Sequence, residues 1–81
     1  MSAVEDLRAE ALFASHLQPS DQPSLALVRD VVYAEVFQRR EDGCAACVAQ
    51  ECGDHPDLFA ERMAWCRRMV AEAFEFEAAR P

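Results

Sequence analysis

Three of the four cysteines lie close to a histidine, at the spacing Cys44-x2-Cys47-x4-Cys52-x2-His55, and Cys66 follows further along the chain. Two thiolates three residues apart commonly open a zinc site, because both can bind one tetrahedral ion. His55 or Cys66 would then complete the four ligands, and four thiolates could equally hold an iron–sulfur cluster. The spacing therefore predicts a metal-binding alternative, zinc or iron–sulfur, on these five residues.

The residues around the thiols favour a helix, which weakens this metal prediction. On a helix Cys52 lies about 140° from Cys47, so only a break at the helix end would bring the two together. Cys66 falls in an apolar stripe, where a free cysteine serves as a small hydrophobic residue. Buried or incidental thiols are therefore the favoured interpretation, and a redox disulfide is a third.

The elements that must position these residues are predicted to be helices. The chain has 81 residues, 52 % of them hydrophobic, and only two glycines, which suits one all-α domain over residues 1–81. The apolar spacing predicts helix one over 4–16, helix two over about 23–40, helix three over about 44–52 and helix four from Pro56 to about Ala78. We expect Ser20 or Ser24 to cap helix two, and Gly43 and Gly53 to end helices two and three as left-handed caps.

These elements predict a small four-helix domain, in which helices two to four form a tri-helical, helix-turn-helix-like core and helix one packs across them. The predicted core combines one residue of helix one with the apolar stripes of the other three. Its members are Leu12, Leu25, Val28, Val32, Val36, Val48, Cys52, Phe59, Met63, Cys66 and Val70.

Helix four carries more apolar surface than one core requires. Besides the stripe that contains Phe59 and Met63, a second stripe lies about 100° around the helix. This second stripe predicts a surface for a protein partner or a homodimer. Its residues are Leu58, Trp65, Met69 and Phe76.

The segment from Val48 to Gly53 also resembles the first half of a helix-turn-helix, so a transcriptional regulator is an alternative. The net charge of −7 and the carboxylates of Asp57 and Glu61 on the would-be recognition helix argue against nucleic-acid binding.

No apolar run is long enough to span a membrane, and the acidic N-terminus lacks the pattern of a signal peptide. We therefore expect a cytoplasmic protein.

Several distinctive blocks are spread over most of the chain: Leu12-Phe13-Ala14-Ser15, Leu17-Gln18-Pro19-Ser20, the segment GCAAxVAQExGDHP over residues 43–56, Arg62-Met63, and Trp65. In these blocks the chain resembles a group of short actinobacterial proteins of unassigned function. The resemblance implies no particular activity. Cys44 belongs to the shared pattern, whereas Cys47, Cys52 and Cys66 depart from it, so a metal site would be peculiar to this chain.

The sequence contains no phosphate-binding loop, nucleophile elbow or zinc-protease motif. We therefore expect no catalytic activity. The favoured prediction is a small cytoplasmic interaction or regulatory protein that presents a helical surface, including to a second copy of itself.

Overall fold

The computed structural model describes residues 3–75, which form three α-helices and one 3₁₀ turn. The order is α1 (Ala3–Ala14), the turn (Pro19–Asp21), α2 (Leu25–Asp54) and α3 (Pro56–Ala73). Residues 3–75 contain no strand, which confirms the all-α class. The predicted count of four helices is not confirmed, because predicted helices two and three form the single element α2. In this part of the chain no helix is both long enough and apolar enough to cross a membrane.

A break at Arg40 divides α2 into an N-terminal half (residues 25–39) and a C-terminal half (residues 41–54). The backbone of Arg40 has φ 63° and ψ 176°, far from helical values. The predicted glycine cap three residues later was wrong, since neither glycine has a positive φ. Gly43 instead permits a close approach, because a Cβ there would lie 3.0 Å from the Cβ of Arg39.

The boundary between α2 and α3 lies at His55 and not at Gly53. The helix continues through Gly53 to Asp54, and His55 takes φ −137° and ψ 64°. A residue that precedes proline is pushed away from the α region by the proline ring, and Pro56 follows directly. The predicted left-handed cap at Gly53 was therefore wrong, whereas the predicted start of α3 at Pro56 is confirmed.

Local side chains fix the start of α2, as the sequence predicts. The Oγ of Ser24 accepts a hydrogen bond from the backbone N–H of Leu27 at 3.1 Å. In the preceding connector, the carboxylate of Asp21 accepts one from the backbone N–H of Gln18 at 2.9 Å. These bonds satisfy donors that a helix or turn would otherwise leave unpaired.

The core is centred on α1, which packs against both α2 and α3. Five consecutive or near-consecutive α1 residues are buried: Ala9, Ala11, Leu12, Phe13 and Ala14. A helix that is buried around most of its circumference needs cover on more than one side, and α2 and α3 supply it. The predicted core contained only Leu12 of this set.

The remaining predicted core residues fall into three groups. Val28, Val32, Met63, Cys66 and Val70 are buried as predicted, and Val36, Val48 and Phe59 pack against the core while partly exposed. Leu25 and Cys52 were wrong, since Leu25 is 42 % exposed at the start of α2 and Cys52 lies on its outer surface. The buried apolar residues that the prediction missed outside α1 are Cys44, Trp65, Ala73 and Phe74.

Candidate functional site

The four cysteines occupy different environments, and none of them forms a disulfide. Cys44 on α2 and Cys66 on α3 are buried in the core. Cys47 is half-buried, and Cys52 is exposed on the next turns of the same helix. His55, the fourth residue of the predicted cluster, is exposed at the junction of α2 and α3.

The five predicted metal ligands are not brought together. Among residues 3–75, no three histidine, cysteine, aspartate or glutamate side chains are arranged so that they could hold a metal ion. The physical reason is the continuity of α2 through Gly53: without a helix end there, Cys47 and Cys52 stay about 140° apart. Cys44 also faces the core. The cysteines are therefore distributed around one helix and do not converge on a metal site.

The two core thiols are held in their neutral form. Burial raises the pKa of Cys66 to about 11, although nearby Arg62 acts in the opposite direction. Burial likewise raises the pKa of Cys44, and Glu35 adds to this effect. Nucleophilic and metal-binding chemistry both require a thiolate, so these two residues serve the core as small apolar groups.

The predicted partner surface on α3 is divided by the fold. Leu58 is 59 % exposed, but Trp65 is only 8 % exposed and belongs to the core. Met69 is partly buried against that core, and Phe76 lies outside the described residues. Trp65 therefore does not form the centre of an exposed stripe, because the core that includes α1 covers it.

A charged group, Arg62, closes the junction between α1 and α3. Its Nη2 donates hydrogen bonds to the backbone oxygens of Phe13 at 3.0 Å and Ser15 at 3.2 Å. Its guanidinium lies 5.1 Å from the centre of the Phe13 ring, and that ring packs on Phe59 at 5.3 Å. Carbonyls at a helix C-terminus lack partners within the helix, and Arg62 supplies one.

A shallow cavity of about 160 Å³ lies beside this junction. It is smaller than the pockets that usually hold a drug-sized ligand. The side chains that line it are Phe13, Glu51, His55, Leu58, Phe59 and Arg62.

The most exposed large apolar side chain of the described structure lies on α2. Phe37 is 74 % exposed, and Tyr33, one turn earlier, is 49 % exposed. Phe37 lies about 140° around the helix from the buried Val32, so it points away from the core. We call Asp30, Tyr33, Phe37 and Arg40 together the α2 face. Sequence reasoning missed it, although the aromatic pair lies well off the stripe of Val28 and Val32.

Aromatic and charged contacts hold the α2 face in place. The edge of the Tyr33 ring meets the Phe74 ring, with centres 5.6 Å apart and an angle of 81°. The guanidinium of Arg8 also covers the Phe74 ring, 3.9 Å from its centre. The guanidinium of Arg40 lies 5.7 Å from the Phe37 ring. Tyr33 is thus anchored to the core, whereas the Phe37 ring lies near the guanidinium of Arg40.

Comparisons of the chain with protein-family models, with curated proteins and with solved structures found no match. The resemblance to short actinobacterial proteins stays a prediction.

Proposed function

We propose that this protein is a small interaction protein, which acts by binding another protein chain through the α2 face. The observation that carries the proposal is the exposure of Phe37, 74 %, next to Tyr33 at 49 %. Exposed aromatic side chains gain most from a protein partner, because they combine a large apolar area with few rotatable bonds. The proposal keeps the predicted kind of function and moves its surface from α3 to α2.

The surroundings of the two rings support a binding role. A charged residue lies near each end of the aromatic pair, Asp30 before Tyr33 and Arg40 after Phe37. An apolar centre with a charged rim is the usual anatomy of a protein–protein interface. The break at Arg40 ends the face and divides α2 into two segments. We propose that these two segments act as separate helices, which together with α1 and α3 would give the four helices that the sequence predicts. We place the protein in the cytoplasm, where free thiols such as the exposed Cys52 persist, and we propose no catalytic activity for it.

Site-specific photo-crosslinking tests this function. The photoreactive residue p-benzoylphenylalanine is introduced at position 37 of the full chain, in the cells that produce the protein. The matched control carries it at Gln38, which is also exposed and lies on the neighbouring side of α2. We expect a discrete protein adduct from position 37 that is absent from position 38. Equal labelling at the two positions, or no adduct at either, would overturn the proposal.

A further inference from the structure

We propose that the partner of the α2 face is a second copy of this chain, docked antiparallel against the first. This inference rests on the proposed function and names its partner. The order of side chains along the N-terminal half of α2 carries the inference. Residues of the α2 face that lie at equal distances before and after Glu35 are either both aromatic or of opposite charge.

The aromatic pair is symmetric about that level. Tyr33 lies two residues before Glu35 and Phe37 two residues after it, so the two rings are about 6 Å apart along the axis and about 40° apart around it. When two such helices pack antiparallel with their Glu35 levels aligned, Tyr33 of each copy lies at the height of Phe37 of the other. Each exposed ring then meets a ring, an arrangement that aromatic pairs favour.

The charges near the ends of the face obey the same symmetry with opposite sign. Asp30 lies five residues before Glu35 and Arg40 five residues after it. The antiparallel arrangement therefore places Asp30 of each copy at the height of Arg40 of the other, which gives two equivalent pairs of opposite charge. In a two-fold dimer the same patch serves on both chains, and this patch fits itself.

The same charges disfavour the parallel alternative. Two copies in parallel register would set Asp30 beside Asp30 and Arg40 beside Arg40, and like charges at one level repel. Within residues 3–75 the carboxylate of Asp30 has no ion pair. The Glu35–Arg39 ion pair lies on the same helix, but both of its residues lie about 140° or more from the direction of the face, so the pair does not compete.

Small residues allow the two helices to approach. Ala26 lies in the direction of the face two turns before Tyr33, and Ala34 borders it; both are exposed. The face extends over about three turns, which makes its area small for a protein interface. We therefore expect a reversible dimer whose dissociation constant lies in the micromolar range or above, not a permanent one.

Sedimentation equilibrium of the full chain tests this dimer, under reducing conditions so that Cys52 forms no intermolecular disulfide. The concentration is varied from about 1 μM to about 1 mM, the range in which interfaces of this size associate. We expect a monomer–dimer equilibrium that Phe37→Ala weakens at least tenfold. A chain that stays monomeric throughout overturns the second copy as partner.

A charge exchange tests the antiparallel register. Asp30→Arg and Arg40→Asp should each weaken the dimer roughly fivefold, as rim charges do, because each turns both pairs of opposite charge into pairs of like charge. The chain that carries both changes should recover to within about threefold of the original. Arg68→Asp, an equal charge change on an exposed part of α3, is the control, and circular dichroism checks that each variant is folded. Losses that simply add in the double variant overturn this register.

The two proposals fail differently. A crosslink from position 37 to a protein other than this chain, together with a monomer in the centrifuge, refutes the second copy and leaves the proposed function standing. The absence of any crosslink specific to position 37 refutes both the second copy and the proposed function.

A chain that ends at Glu75 tests whether residues 76–81 of the same chain occupy the face instead. If only this shortened chain dimerises, residues 76–81 occupy the face and the dimer of the full chain is refuted.

Discussion

Arg62 should stabilise the described structure by binding the end of α1, and its replacement has a predictable cost. Its Nη2 carries two N–H groups and donates to the carbonyls of Phe13 and Ser15, at 3.0 and 3.2 Å. A hydrogen bond to a charged group contributes about 1.5–3 kcal/mol, and the half-buried site argues for counting the pair of bonds as about 2 kcal/mol. The contact with the Phe13 ring adds about 0.5 kcal/mol. Arg62→Ala should therefore lower the free energy of unfolding by about 2.5 kcal/mol.

Urea and thermal unfolding followed by circular dichroism measure this loss. In a domain of this size the expected change corresponds to a fall of about 10–20 °C in the melting temperature. Arg62→Lys keeps the charge but lacks the planar group that serves two acceptors and covers a ring, so about half of the loss should remain. Arg68→Ala is the matched control, since Arg68 is exposed on the same helix. Equal losses for Arg62→Ala and Arg68→Ala would refute the assigned role.

Three further predictions follow from the glycines and the thiols. Gly43→Ala should destabilise the protein by about 1 kcal/mol, because the new Cβ would lie 3.0 Å from the Cβ of Arg39. Gly53→Ala places its Cβ in open space and should stabilise the protein by about 0.5–1 kcal/mol. Urea unfolding that gives the opposite order of stability would contradict this prediction. Burial raises the pKa of Cys66 from 9.0 to about 11. The free energy of unfolding should therefore be unaffected by this thiol below pH 9 and should fall between pH 9 and about 11, by at most about 3 kcal/mol. A Cys66→Ala chain whose stability falls equally steeply over this pH range would count against this prediction. In limited alkylation followed by mass spectrometry, exposed Cys52 should react at once and Cys66 only when the fold opens, and equal rates would show that Cys66 is accessible.

The features that could be predicted from the sequence are those with local causes. Ser24 caps α2 through a bond to a residue three positions ahead, and Pro56 begins α3 because proline suits the first turn of a helix. The stripes of α2 and α3 identify Val28, Val32 and Val70 because helical spacing alone places them on one side. In each case the cause lies within a few residues of its effect.

The features that could not be predicted depend on contacts between distant segments. Arg62 binds carbonyls 47 and 49 residues away, and a local pattern contains no sign of such a partner. Trp65 lies in an apolar stripe whose exposure depends on which helices pack against α3. In the folded chain Trp65 is buried in the core built on α1. The metal hypothesis depended on a helix end at Gly53, but the restriction that Pro56 imposes moved the end to His55.

The φ of 63° and ψ of 176° at Arg40 lie in a region that only glycine occupies without strain, at a cost of about 1–3 kcal/mol. If Arg40 relaxed to helical angles, the 30 residues of α2 would form one straight rod about 45 Å long. That rod exceeds the 40 Å longest extent of the folded molecule, so it would carry α3 away from α1. Two straightened chains could restore every lost contact by exchange, with α3 of each packing on α1 of the other. The strained backbone of one arginine thus separates a chain that folds upon itself from a chain that is completed by its neighbour.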